Sequence, residues 1–277
     1  MFLLVLFPQT AYKGASEGLL LWFHTVLPTL LPYMILTNVL MSLIQVQNQT
    51  YYLFLPLLGL VCGYPMGAKI CADLVREQRI TQKMGQYLLP LCNLAGPSFL
   101  CGYVMSASLQ LTKGKILYLA CIYLPLFLYA ILTGFLYRPN TIQVKTQIKT
   151  IHARLTFDES IMRSVTAITK LGGYIMLFSI LSHLTAHILS DLNETMCLWI
   201  FGLLEITNGI SMLTDSTLSD PKRIFLSLIF LNFGGISCLF QTNSMLQDSG
   251  LSIRTYFIAK CIISLFATIM AYVLFVR

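Results

Sequence analysis

The sequence predicts an all-α polytopic membrane protein, and three observations carry that prediction. Hydrophobic residues make up 56% of the 277 positions and charged ones only 10%, where a soluble domain carries roughly 25%. Mean hydropathy is +0.75. The apolar segments are continuous rather than alternating, which fits helices and not the strands of a barrel. A hydrocarbon core of about 30 Å takes about 20 helical residues per crossing, so the chain has length for several crossings and none for a separate soluble domain. The net charge of +7 comes from eighteen Lys and Arg spread between apolar segments, a pattern of membrane topology rather than of nucleic-acid binding. The eight cysteines form no CxxC pair and lie mostly in apolar segments, so they read as packing residues.

Residues 1–13 form an N-terminal stub, either a surface-lying piece or the tail of a helix, with no basic leader pattern. Glu17 to Ile44 is one apolar stretch cut by Pro28 and Pro32. Proline removes a helical hydrogen bond, so a re-entrant hairpin with its tip near Thr29 to Tyr33 is expected at least as much as a kinked crossing. Tyr52 to Val61 is an apolar half-helix, broken by Gly63-Tyr64-Pro65-Met66-Gly67 before a more polar helix with Lys69, Asp73 and Arg76. Gln86 to Gln110 is the next crossing, interrupted at Asn93-Leu94-Ala95-Gly96-Pro97, and Ile116 to Tyr137 is an ordinary span. Residues 138–157 form a basic loop, with Arg138, Lys145, Lys149, His152 and Arg154 and no acid up to Arg154; this is the strongest cytoplasmic signal in the chain.

The second half opens on Phe157 to Lys170, an amphipathic segment read as an interfacial helix or the first arm of a hairpin, with Gly172-Gly173 expected to break it before Tyr174 to Ser190. Met196 to Leu213 carries Glu205 and the break Thr207-Asn208-Gly209, Ile224 to Leu246 carries Asn232, Gly234, Gly235 and Gln241, and Tyr256 to Val276 closes the chain. The halves 14–137 and 158–277 match one another at a steady offset of about 142 residues, as a duplicated unit does. Glu17 answers Glu159, Gly59 answers Gly202, and Asn93-Gly96 answers Asn232-Gly235. A hairpin plus three crossings per half makes the repeats inverted, whereas four crossings make them parallel. The split first elements favour inversion.

Broken helices at the midplane present unpaired N–H groups and partial positive charge to an anion. Gly63, Tyr64, Pro65, Gly67 and Lys69 are therefore one half of a candidate substrate site, with Lys69 as the full positive charge. Glu205, Thr207 and Asn208 are the other half; an intramembrane carboxylate is by default a functional group, and Glu205 could relay a proton or pair with Lys69. Asn93, Ser98 and Gln241 are solute contacts or interhelical glue. His183 and His187 lie four apart without a third ligand nearby, so no metal is expected, and no cofactor. Nothing resembles a hydrolytic triad, HExxH or a phosphate loop, and the chain is not expected to be an enzyme.

The segments LWFHTVLPTLLPYMIL, CGYPMGAKICADL, LCNLAGPSFLCGYV, GGYIMLFSIL, GLLEITNGI and FGGISCLFQTNSML with IRTYFIAK resemble, in the same order from Phe7 to Tyr272, the sporulation integral membrane protein YlbJ family of the nucleoside-recognition (Gate) group. The resemblance implies a role in endospore formation at the membrane around the forespore, with movement of dipicolinic acid as the activity. It also implies an architecture similar to concentrative nucleoside transporters, with re-entrant hairpins and broken helices. The expected function is alternating-access transport of a small anionic or aromatic metabolite. A nucleoside permease and a non-transporting sporulation scaffold are the alternatives. The expected partners are a small solute and the lipid bilayer, and assembly of the chain with itself is compatible with this pattern.

Overall fold

The prolines of the first apolar segment do not turn the chain back. In the computed structural model, which describes residues 2–43, 57–59, 61, 63–97, 99–134, 156–188 and 193–277, α1 (Phe2–Leu6) is followed by α2 (Pro8–Leu21), a π-helical stretch (Trp22–Val26) and α3 (Leu27–Leu43) in unbroken helical succession. The hairpin tip expected at Thr29 to Tyr33 is thus corrected to continuous helix. The π stretch shifts the hydrogen-bond ladder just ahead of Pro28, with Leu27 N–H donating to Trp22 O, and such a bulge accommodates a ring that would otherwise press on the preceding turn. Thr29 Oγ1 adds a bond to Thr25 O at 2.6 Å in the same turn.

The corresponding element of the second half, α7 (Phe157–Ile188), is likewise one helix of 32 residues. Gly172 does not break it. Its missing side chain makes room for Trp22, since a Cβ at Gly172 would lie 2.6–2.8 Å from the indole, and Trp22 Nε1 donates to Ile168 O at 3.0 Å. Along the same seam Phe7 meets His187 with ring centroids 4.9 Å apart, Gly14 backs onto Ile180, and Gly18 onto Met176 and Ser179. Helices α2 and α7 are therefore antiparallel. The Gly14-x-x-x-Gly18 spacing lets their backbones approach as small residues do in membranes, and His183 Nε2 sits 2.9 Å from Glu17 Oε2 across the seam.

Hairpins occur one element later in each half. Helical residues 57–59 lead to a reversal at Gly63-Tyr64-Pro65 and into α4 (Met66–Arg76). Gly59 and Gly67, one on each arm, both press on the backbone of Cys92, which a chain running straight on could not do. In the second half, α8 (Glu194–Leu204) and α9 (Ile206–Asp215) reverse at Glu205. Gly209 backs onto Gly202 between the arms, and the open end is tied by Thr217 N–H and Oγ1, which donate to the Glu194 carboxylate at 2.8 and 2.5 Å. The described residues from 57 to 77, and Met196 to Leu213, thus form reversals and not straight passages.

Each hairpin is followed by a broken helix and an uninterrupted one. The broken helices are α5 (Gln82–Cys92), continued by a π-helical Phe99–Ser108, and α10 (Asp220–Phe233), continued by α11 (Gly235–Met245). The uninterrupted ones are α6 (Lys115–Gly134) and α12 (Ile253–Ala271), the latter extended by a π-helical Tyr272–Val276. Among the described residues, five helices are long and apolar enough to cross a membrane: Pro8–Leu36, Lys115–Gly134, Phe157–Ile188, Asp220–Met245 and Ile253–Val276. No strand occurs among the described residues. The protein is an all-α polytopic membrane protein.

Contacts at the two ends of the bundle order these elements. At one end Arg76 bonds Met245 O and Gln247 O, Gln82 bonds Gly250 O, and the Gln86 amide pairs with both Ser252 O and Ser252 N–H; Tyr87 reaches Ala130 O near the end of α6. At the other end Ser108 Oγ meets Ile210 O at 3.0 Å and Thr214 Oγ1 at 2.6 Å. The expected basic loop, from residue 138 to 155, and the candidate Ser98 lie outside the described residues.

Because the Gly209 side chain would land on Gly202, Gly209→Leu forces the second hairpin apart and is expected to cost about 1–3 kcal/mol. Thermal unfolding of the detergent-solubilised variant measures this, and an unchanged midpoint contradicts the packing described.

Candidate functional site

Two hairpin tips and two helix breaks meet in the interior. Gly63 has φ +67°, a left-handed conformation that glycine adopts without strain, and a Cβ there would lie 2.7 Å from Gly96 N. The next residue, Tyr64, donates its N–H to Leu94 O at 2.8 Å. The first tip therefore seats on the break of α5. Pro65 and Gly67 are buried behind it, Gly67 against the Cys92 carbonyl.

Asn93, wholly buried, stitches this junction together. Its Oδ1 accepts from Ala68 N–H at 3.3 Å, and its Nδ2 donates to Thr242 Oγ1 at 2.8 Å and to the Tyr256 hydroxyl at 2.9 Å. One amide thus joins α4, α5, α11 and α12, and both of its polar atoms are occupied by protein, so Asn93 acts as glue rather than as a free solute contact. Gln241 is similar: it is buried and donates from Nε2 to Ser237 Oγ at 3.0 Å.

The second tip is built on Glu205. The carboxylate caps α9 with Oε2 accepting from Asn208 N–H at 2.8 Å and Oε1 from Thr207 Oγ1 at 3.1 Å. Carboxyl oxygens at a helix N-terminus accept from its orphan N–H groups, which satisfies a polar side chain that is only 4% exposed. Thr207 O faces the Tyr103 hydroxyl at 3.4 Å. The Asn208 side-chain Nδ2 is buried without a partner.

The break of α10 brings the two tips together. Gly234 and Gly235 have φ of +94° and +71°. A Cβ on Gly234 would lie 3.0 Å from the Tyr64 hydroxyl and 3.7 Å from Lys260 Cε, and one on Gly235 would lie 3.4 Å from Ile206 and 3.5 Å from Leu203 O. The Tyr64 hydroxyl of the first tip and Leu203 and Ile206 of the second hairpin thus meet at this glycine pair.

Lys69 is the exception. Its Nζ pairs with Asp73 Oδ2 at 2.8 Å, Asp73 also holds Arg76 at 2.6 Å, and the Lys69 side chain is 28% exposed. The expected pairing with Glu205 is therefore corrected: Lys69 lies one turn along the outer arm of the hairpin, where an i, i+4 carboxylate satisfies it.

The buried cation is Lys260 on α12, 1% exposed, which donates from Nζ to the Tyr64 hydroxyl at 2.8 Å and lies 5.2 Å from the centre of the Tyr64 ring. The reading of the sequence passed over Lys260, although a lysine in the middle of the run IRTYFIAKCIISLFATIMAYVLF is itself a signal, because ionisable residues inside a span face the protein interior and mark function.

No family model and no solved structure matches the chain. A curated protein does: the sporulation integral membrane protein YlbJ of Bacillus subtilis (strain 168) is 24% identical, over 96% of this chain and 78% of the relative. The resemblance to the YlbJ family is borne out. The similarity extends over nearly the whole chain and is not confined to one motif.

Asn93→Ala strands the Thr242 and Tyr256 hydroxyls and Ala68 N–H. Removing one partner of buried hydrogen bonds costs about 1–3 kcal/mol, so the variant is expected to unfold earlier in detergent, while Asn93→Asp keeps the acceptor toward Ala68 and loses less.

Proposed function

We propose that this protein is a membrane transporter of a small anionic or aromatic metabolite acting in endospore formation, with dipicolinic acid as the solute. The observation that carries the reading is the meeting of two hairpin tips around the Gly234-Gly235 break beside a buried lysine. An immobile scaffold has no need of non-helical backbone at this depth, which is tolerated where it is buried in protein or lines a cavity. Midplane sites made of paired discontinuous elements belong to secondary transporters. The sporulation role is supported by the name of the YlbJ relative, and the dipicolinate assignment rests on the family resemblance together with the buried Lys260. A cell membrane, and within the sporulating cell the membrane around the forespore, is the corresponding location. The chemistry assigned is carriage of a solute and not its conversion.

We infer an inverted repeat from the course of the helices. Helices α2 and α7, at matching positions in the two halves, run antiparallel. The first hairpin opens toward the end marked by Arg76 and the second toward the end marked by Ser108. Each half then consists of a crossing, a re-entrant hairpin and two further crossings. The Arg76 end is assigned to the cytoplasm, because α6 reaches it and the loop with Arg138, Lys145, Lys149 and Arg154 follows α6. In this arrangement one hairpin guards each side, and alternating access is the exchange of their openings around Gly234-Gly235.

Two experiments test these readings. Purified protein in liposomes is expected to move dipicolinate, with uridine a poor competitor; preferential inhibition by uridine supports a nucleoside permease instead, and the absence of flux with either solute removes the transporter reading. In a cysteine-free background, a cysteine at Lys113 is expected to react with an impermeant maleimide in intact cells and one at Arg79 only after permeabilisation. Labelling of both from one side rules out the inverted arrangement.

A further inference from the structure

We propose that Lys260 is the solute's carboxylate contact and that the Tyr64 hydroxyl holds its place in the empty protein, so that solute binding releases the first hairpin from the last span. This deepens the transporter reading and rests on it.

The argument begins with what an ammonium needs. A lysine presents three N–H donors and no acceptor, and a buried charge is expensive unless paired and fully hydrogen-bonded. Lys260 is 1% exposed, yet the neutral Tyr64 hydroxyl is its one hydrogen-bond acceptor among the described residues, and no carboxylate there forms an ion pair with it. The nearest comparison within the chain is Glu205, which is equally buried but satisfied by its own helix N-terminus. Lys260 thus carries unspent donor capacity at the convergence of both tips, and the chemistry that completes it is an oxygen anion.

The surroundings define where that anion goes. Tyr64 is the residue of the first tip that reaches α10 and α12: its hydroxyl touches the position where a Gly234 side chain would stand and lies 3.5 Å from Leu231 O. Gly234, without a side chain, lets the Tyr64 hydroxyl and Lys260 pack directly against the break. One residue on, Gly235 abuts the second tip at Ile206, beyond which the Asn208 Nδ2 is a buried donor without a partner. A flat solute with a carboxylate at one edge and a further acceptor across the ring complements a cation on the Lys260 side and an amide donor on the Asn208 side. A carboxylate that replaces the Tyr64 hydroxyl at Nζ forms a charge-assisted bond stronger than the neutral one it displaces. Displacement also removes the bond that ties the first hairpin tip to α12, which links occupancy to movement of that hairpin.

The test uses the full-length protein in detergent, with dipicolinate and phthalate as aromatic dicarboxylates and uridine as a neutral probe, read by thermal shift and by titration. Wild type is expected to be stabilised by a dicarboxylate. Lys260→Met is expected to bind it at least about tenfold more weakly, the scale of a lost charge-assisted bond, with its unfolding midpoint in the absence of solute unchanged or raised because an unpaired buried charge is gone. Lys260→Arg is expected to keep part of the binding, and Tyr64→Phe to bind at least as tightly as wild type, since the competing hydroxyl is removed.

Unaltered dicarboxylate binding by Lys260→Met, or no stabilisation of wild type by either dicarboxylate, overturns the proposal. So does a lowered midpoint in Lys260→Met with binding intact, which marks a structural lysine. Binding that depends on Lys260 without flux in liposomes sustains the carboxylate contact and rejects the transporter reading, whereas flux that is indifferent to Lys260 does the reverse.

Discussion

Backbone that leaves the helix inside a membrane has no water to turn to, and the rest of this structure depends on how that constraint is met. Each hairpin tip is satisfied within the protein. Tyr64 N–H of the first hairpin tip bonds Leu94 O in the interruption of α5, and Gly63 nests on Gly96. The second tip closes on its own Glu205 carboxylate, and Gly235 packs against it. Because unsatisfied groups cost several kcal/mol each in hydrocarbon, these pairings hold the hairpins in place more firmly than apolar contact could, lipid tails being as apolar as leucine.

Close approach of backbones is the second requirement, and glycine supplies it at the seams. Gly14 and Gly18 bring α2 onto α7, Gly59 and Gly67 bring both arms of the first hairpin onto Cys92, and Gly202 with Gly209 closes the second hairpin on itself. Dispersion and short interhelical hydrogen bonds, such as Trp22 to Ile168 O and Tyr118 to Ser227, then do what water-driven burial does in a soluble core.

Polar groups are distributed by the same logic. Asn93, Thr242 and Tyr256 satisfy one another completely, and Glu205 is satisfied by a helix end. Lys260 is left with a single neutral acceptor at the place where the two hairpins come closest.

By itself the sequence determined the class, the number of apolar segments and the places where backbone breaks. Composition and continuous hydropathy suffice for the first two, because the bilayer demands about 20 apolar helical residues per crossing. Gly63-Tyr64-Pro65 and Gly234-Gly235 announce breaks locally, whereas the break expected at Thr207-Asn208-Gly209 is corrected to Glu205, those three residues being helical. Tertiary structure alone decided which interruptions reverse the chain. Pro28 follows a π stretch, Pro32 lies within α3, and Gly172 seats Trp22, so signals that read as turns became continuous helices, while the reversals fell one element later, where the arms could pack glycine to backbone. The choice of cation was also beyond local reading. Lys69 finds Asp73 four residues away on its own helix, a partner visible in the sequence once the helix is drawn, but the partner of Lys260 is Tyr64, 196 residues distant, and only the folding of one half of the chain onto the other brings them together.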